Sequence, residues 1–143
     1  MKFYRSTVWT ILAFLSVAAA PAQPAQSAES VVRAYTDAAN RGDLEAFLDL
    51  YDPQISKYRF PAQLTSQGIA HNRETYARSF AANPNLKVEI VELVALGDKV
   101  MVHDRVTGLA SGQTAEELTV YQVQNGRISD ILYVERITSS STR

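Results

Sequence analysis

Two dipeptides near the end of the chain constrain its fold more than anything else in it. Gly97-Asp98 and Asn125-Gly126 each separate two runs rich in alternating apolar residues. Asn-Gly tolerates the positive φ of a type I′ turn at both positions, and Gly-Asp suits a I′ or II′ turn. With Ser111-Gly112 between them, they divide 86–136 into four strands, 86–96, 99–109, 116–124 and 127–136. Two-residue turns fix register, and register fixes faces. Counting back from Gly97-Asp98 sets Leu93 against Val102, Glu92 against His103 and Val91 against Asp104. Val91, Leu93, Ala95, Val100, Val102 and Val106 then form a core face whose one charge is Asp104. The other face, with Ile90, Glu92, Met101, His103 and Arg105, reads as solvated or subunit-facing. At the last hairpin the same counting groups Leu118, Val120 and Gln122 on one face and Thr119, Tyr121 and Val123 on the other. The pattern does not choose between them, and a β-bulge would exchange them.

The 143 residues suffice for one domain. Lys2 and Arg5 are two of the 14 basic residues and lie in an acid-free start, so beyond residue 22 the chain holds 12 basic against 15 acidic residues. That balance disfavours a nucleic-acid partner. The absence of cysteine excludes disulfides, a thiolate nucleophile and a zinc-thiolate site. No cofactor and no metal site are expected. Residues 1–22 read as a signal peptide: a short basic start, an apolar run over 8–20 and Ala20-Pro21-Ala22 as cleavage site. The alternative is an uncleaved anchor; either places the domain outside the cytoplasm, periplasmic or secreted, and cleavage would leave no membrane contact. Residues 23–28 form a linker, 29–137 the domain and 138–143 a disordered tail.

Along the domain, Ser27 is expected to cap a first helix with Glu29 in its first turn, Val31, Val32, Tyr35, Ala38 and Ala39 as its apolar stripe and Gly42 as its end. Asp43 caps a short second helix carrying Leu44, Phe47, Leu48 and Tyr51, stopped at Asp52-Pro53. Residues 55–60 form a short strand with Tyr58 and Phe60 on one face and Lys57 and Arg59 on the other. A loop over 61–70 follows, then a third helix capped by Asn72 and carrying Tyr76 and Phe80. Three helices and a meander make an α+β domain with helices on one face of the sheet.

That order, with Tyr35 eight residues before Asp43, Arg41-Gly42-Asp43-Leu44-Glu45-Ala46-Phe47 leading to Tyr51, His71-Asn72-Arg73-Glu74 opening helix three, and the turn sequences Gly97-Asp98-Lys99-Val100 and Asn125-Gly126-Arg127-Ile128, resembles the nuclear-transport-factor-2-like superfamily, in particular its SnoaL-like and ketosteroid-isomerase-like members. The resemblance implies a cone-shaped curved antiparallel sheet with three N-terminal helices packed on its concave face, enclosing a pocket. It also implies a homodimer through the outer sheet face. By the same resemblance Tyr35 matches a helix-one tyrosine of an oxyanion hole. The position of the carboxylate base falls on Arg59 or Phe60, and that of a protonated Asp near Thr119 or Val120. Neither matches, which argues against that isomerase mechanism.

Asp104 is the candidate catalytic residue. A carboxylate among valines must be paired, be protonated or face a wet pocket. It can serve as acid–base group, as anchor for a ligand hydroxyl or amine, or as half of an ion pair with Arg59, Arg33 or Arg73. His103 points away from Asp104 and is expected to pair with Glu92. The candidate ligand-binding residues are Tyr35, Tyr58, Phe60, His71 and Tyr133, facing a small apolar or aromatic ligand; Tyr76 and Tyr121 also fit such a lining. Three functions follow: an exported small-molecule-binding domain without the isomerase base, an isomerase, cyclase or hydratase on a cyclic ketone-like substrate using Asp104, or a non-catalytic homodimeric interaction domain.

Overall fold

A computed structural model describes residues 26–140 of the chain. Helices α1 (Ala28–Arg41) and α2 (Leu44–Asp49) are followed by strands β1 (Tyr51–Arg59) and β2 (Gln63–Gln67). Helix α3 (Ile69–Ala82) leads into β3 (Lys87–Leu96), β4 (Lys99–Thr107), β5 (Gln113–Gln124) and β6 (Arg127–Ser140). The strands form one six-stranded sheet in the order β2-β1-β6-β5-β4-β3. All pairings are antiparallel except β1 with β6, which is parallel. The expected α+β cone is present, with the meander extended by two further strands beside β6. The expected second helix ends two residues early: Leu50 is its C-cap, Tyr51 opens β1, and Asp52-Pro53 lies within that strand. Much of the expected loop over 61–70 is β2. The third helix begins at Ile69, so Asn72 is not its cap; it is buried, and its Nδ2 donates to Gly68 O at 2.7 Å. Strand β6 runs on through Ser140, into the stretch expected to be a tail.

The caps of the first two helices follow the sequence. Ser27 Oγ accepts from Ser30 N at 3.1 Å, and Asp43 Oδ1 accepts from Ala46 N at 3.1 Å. Between them Gly42 sits at φ 63°, where a side chain is strained, and its N–H closes on Ala38 and Ala39 carbonyls. These caps hold Val31, Val32, Tyr35 and Phe47 against the sheet; full burial of a side chain such as Phe47 contributes about 2–3 kcal/mol. Asn40, in the last turn of α1, bonds the edge strand β3 at two points: its Nδ2 donates to Val88 O at 2.9 Å and its Oδ1 accepts from Val88 N at 2.7 Å. One side-chain amide thus satisfies backbone groups that an edge leaves open.

Bulges decide which side chains face the concave side. Register from the Gly97-Asp98 turn holds through Glu92 opposite His103 and then slips, so Asp104 faces Ile90 and not Val91. Strict alternation from Leu93 would send Val91, Glu89 and Lys87 inward. The slip turns Val91 outward, 44% exposed, and turns Ile90 and Val88 toward the helices. In β6 the same device acts twice. Alternation from Ile128 would bury Asp130; a bulge at Gln122/Val123 pairs Val123 with Ile128 and Tyr121 with Ile131, and Thr119 then faces Tyr133. A second bulge at Leu118/Thr119 sets Glu117 beside Arg136. The concave face of the last hairpin is therefore Thr119, Tyr121, Val123, Ile128, Ile131 and Tyr133: counting sets Ile131 and Tyr133 with Leu118 and Val120, and the bulges bring them to the face of Thr119 and Tyr121 instead. At the open end, Gly108 at φ 72° lies so close to Asn85 that a Cβ would stand 1.8 Å from Asn85 O. Any side chain there would push the α3–β3 connection off the sheet.

Candidate functional site

Between the helices and the concave face lies a cavity of about 650 Å³. Its walls include Tyr35 from α1, Tyr76 from α3, Arg59 from β1, Asp104 from β4, Tyr121 and Glu117 from β5 and Tyr133 and Arg136 from β6. Two polar clusters stand at this cavity, and they are satisfied to different degrees.

The first is built on Lys57. It pairs with Ile131 across the β1–β6 seam and so shares the concave face, with only 4% exposure. Its Nζ donates to Tyr51 Oη at 3.0 Å and to Tyr76 Oη at 2.8 Å and stands 4.7 Å and 4.3 Å from the centres of those two rings. Phenol oxygens and ring faces both favour a cation. Tyr51 Oη lies 2.8 Å from Tyr35 Oη, and Tyr76 Oη lies 3.4 Å from Tyr133 Oη. Phe47 supports the group from below, stacked on Tyr35 at 4.3 Å and tilted against Tyr76 at 4.6 Å. Burial pushes Lys57 down from its ordinary range, with Tyr76 opposing. Burial pushes Tyr35, Tyr51, Tyr121 and Tyr133 well up. Tyr76 moves the other way: burial would raise it, but the adjacent Lys57 charge, the hydrogen bond from Lys57 and the contact with Tyr133 hold its phenol below the usual value.

The second cluster is built on Asp104, which is 5% exposed among Val102, Val106 and Ile90. Its Oδ1 is buried and finds no hydrogen-bond partner among the described residues. Across the β4–β5 ladder it faces Glu117, whose own carboxylate is bound to Arg136. Burial, reinforced by Glu117 and opposed by His103 and Arg136, pushes the Asp104 carboxyl up to about 7. None of the ion pairs expected for Asp104 is formed: Arg33 bonds Glu29, Arg73 bonds Glu45, and Arg59 opens on the cavity from the end of β1.

The structure brings Tyr35, Asp104 and Tyr133 together on the cavity wall. It does not bring Tyr58, Phe60 or His71 there. Tyr58 alternates with Lys57 and so takes the opposite face of β1; Phe60 is 60% exposed beyond the end of the strand; His71 is exposed in the first turn of α3. The expected sidedness of 55–60 is thus reversed for function. Ile55 is fully buried, and Lys57 and Arg59 follow it on the inner side by period two. His103 pairs with Glu116, Nε2 to Oε2 at 2.6 Å, and not with Glu92: Glu116 on β5 holds the histidine with one oxygen and accepts from Arg105 Nε with the other, on the outer face. Lys57, Tyr51, Glu117 and Arg136 are site residues that the sequence reading missed. The Ile55-x-Lys57 spacing carried the signal for the first.

The family model described as the SnoaL-like domain matches residues 32–131, spanning α1 to the middle of β6. The chain belongs to the SnoaL-like domain family. Solved structures agree on the fold. An uncharacterized cystatin-fold protein from Novosphingobium aromaticivorans superposes with a TM-score of 0.69 at 18% identity, covering 77% of this SnoaL-like chain and 99% of that one. A SnoaL-like protein of unknown function from Burkholderia thailandensis gives 0.61 at 22% identity, covering 82% and 100%. A candidate SnoaL-like polyketide cyclase from Jannaschia sp. gives 0.62 at 19% identity, covering 78% and 85%. A comparison with curated proteins finds no match to this SnoaL-like chain.

Proposed function

We propose that this SnoaL-like domain is an exported binding module for a small, mostly apolar, ring-bearing molecule, with Asp104 and Tyr35 making the polar contacts. One observation carries the reading: a buried carboxylate oxygen on the wall of a 650 Å³ cavity has no partner within the described residues. A volume of that order suits a ligand of drug size. A ligand hydroxyl or amine would supply the missing donor, since an unmade bond at a buried polar atom costs about 1–3 kcal/mol. Export rests on the basic and apolar start of the chain, which lies outside the described residues. The test is a thermal-shift screen of the domain with aromatic and alicyclic compounds. Ligands with a hydroxyl or amine are expected to raise Tm, and Asp104→Ala to lessen the rise. No shift with any of them would end this reading.

A second reading is favoured by the position of the Asp104 carboxyl near about 7, where one group can both give and take a proton at neutral pH. On it the domain is an isomerase, cyclase or hydratase acting on a cyclic ketone-like substrate, and the candidate polyketide cyclase from Jannaschia sp. shares the fold. If turnover is found with such a substrate, Asp104→Asn should abolish it; retained turnover would remove Asp104 from the mechanism. On either reading we propose a homodimer through the outer face of β3 and β4, where Val94 and Met101 are exposed. Sedimentation of a monomer at high concentration would exclude it.

A further inference from the structure

Two carboxyl groups meet on the cavity wall where β4 lies beside β5. Asp104 and Glu117 are direct cross-strand partners, and both line the cavity. Like charges set opposite each other on one sheet face repel. Within the described residues that repulsion is offset on one side only. Arg136 reaches the pair from β6, binds Glu117 through Oε1 alone and leans into solvent, its side chain 53% exposed. Asp104 is 5% exposed, and its Oδ1 has no hydrogen-bond partner among the described residues. The other titratable groups around it supply no donor to that oxygen. β5 adds the phenol of Tyr121 and α1 that of Tyr35, while β3 lays the apolar Ile90 beside it. His103 and Glu116 stand on the outer face, bound to each other.

We propose that the Asp104–Glu117 pair is a cation subsite and that the ligand of this cavity is an amine, its protonated nitrogen held between the two carboxyl groups and its apolar body against the aromatic wall. The inference rests on the reading of the cavity as a ligand site and deepens it. That reading leaves hydroxyl and amine open, and the second carboxylate chooses between them. A hydroxyl has one proton to give and can serve one of the two groups. An ammonium has three N–H donors and carries the charge that the pair lacks. Hydrogen bonds assisted by charge are also roughly twice as strong as neutral ones. A carbonyl ligand would set its oxygen beside the Glu117 carboxylate and gain nothing from it. The Asp104 carboxyl at about 7 adds a signature. A bound cation favours the ionised form, so amine binding should release a proton near neutral pH.

The test compares three probes of closely similar shape, 2-naphthylmethylamine, 2-naphthylmethanol and 2-acetylnaphthalene, by titration calorimetry on the whole protein. At about pH 8 the amine should bind about tenfold or more tightly than the alcohol. That advantage should shrink as pH falls through about 7, where Asp104 takes up its proton while the amine keeps its own. Near neutral pH the heat of amine binding should vary with the ionisation enthalpy of the buffer, as a released proton requires. Asp104→Asn and Glu117→Gln each keep an acceptor and remove a charge. Each should remove most of the amine preference and leave alcohol binding unchanged; in Glu117→Gln the released Arg136 opposes the amine as well. Asp104→Asn relieves a buried charge, so a lost preference there is not a lost fold. Equal binding of amine and alcohol, or a preference that both variants keep, would overturn the cation subsite and leave the cavity standing as a ligand site. Tightest binding of the ketone would overturn it too, with Asp104 then acting as a donor. Binding of none of the three would overturn the inference together with the reading it rests on.

Discussion

Lys57 and Asp104 are buried on the same face of the same sheet, and the fold treats them in opposite ways. Lys57 is given two phenol oxygens and two ring faces. Asp104 is given a neighbouring carboxylate, Glu117, and one oxygen without a partner among the described residues. Burial that the protein offsets in part with partners at one point it leaves without them at another, on strands of one continuous sheet. On the proposed reading the uncompensated carboxyl is the point left for a ligand, and the lysine cluster is part of the packing around it.

The largest test of that contrast is Asp104→Asn. The folded carboxyl at about 7 lies above its ordinary 3.8, so the folded state holds this proton more tightly than the unfolded chain. The associated stability is present below the unfolded value and is lost as pH rises through the folded one. The asparagine variant is therefore expected to match wild type in acid and to exceed it by about 2–4 kcal/mol at about pH 8, read from urea midpoints. A wild-type advantage that grows with pH would reverse the contrast. Next in size is Tyr51→Phe, which strands Tyr35 and takes one acceptor from Lys57. It is expected to cost about 1–2 kcal/mol, with little change between about pH 5 and 8, as befits a cluster already satisfied. Glu117→Gln removes a like charge and frees Arg136 toward Asp104. Both effects should move the pH midpoint of the wild-type stability curve downward, by less than the whole shift, since burial is its larger cause. Smallest is His103→Ala on the outer face, where the pair with Glu116 is half-exposed. No shift in urea midpoint is expected at high salt, where surface pairs are screened.

The sequence carried the fold where the signal is local. Ser27, Gly42 and Asp43 cap as their types dictate, and Val100, Val102, Asp104 and Val106 share one buried face of β4 because that strand alternates without interruption. It failed where a residue's position depends on a partner far along the chain. The slip at Val91 is visible only once Ile90 and Val88 are asked to bury in place of Glu89. Lys57 stands opposite Tyr58 and Phe60, the two residues of this strand expected at the ligand, although Ile55 two residues earlier marks its face as the buried one. Of the phenols that make a buried ammonium tolerable, Tyr51 opens the same strand, where a helix end is expected, and Tyr76 comes from α3, which β1 alone does not reveal. Asp104 stood out because its inconsistency is local: a carboxylate inside a run of valines needs no distant partner to look wrong.

The parallel seam between β1 and β6 has a consequence for how the cavity comes into being. Tyr58 lies beside Leu132, so closing this seam gathers about half the chain into one loop, whereas β3 to β6 are linked by short turns. Loop closure over that span is entropically costly, and locally connected strands have the advantage in time. Lys57 is therefore expected to stay hydrated until the last strand is in place, with the tyrosine cluster around it forming late. The same seam is the natural place for partial opening: β1 can peel from β6 and wet Lys57 while the meander persists. The backbone amides of β1 are accordingly expected to exchange with solvent deuterium before those of β4 and β5.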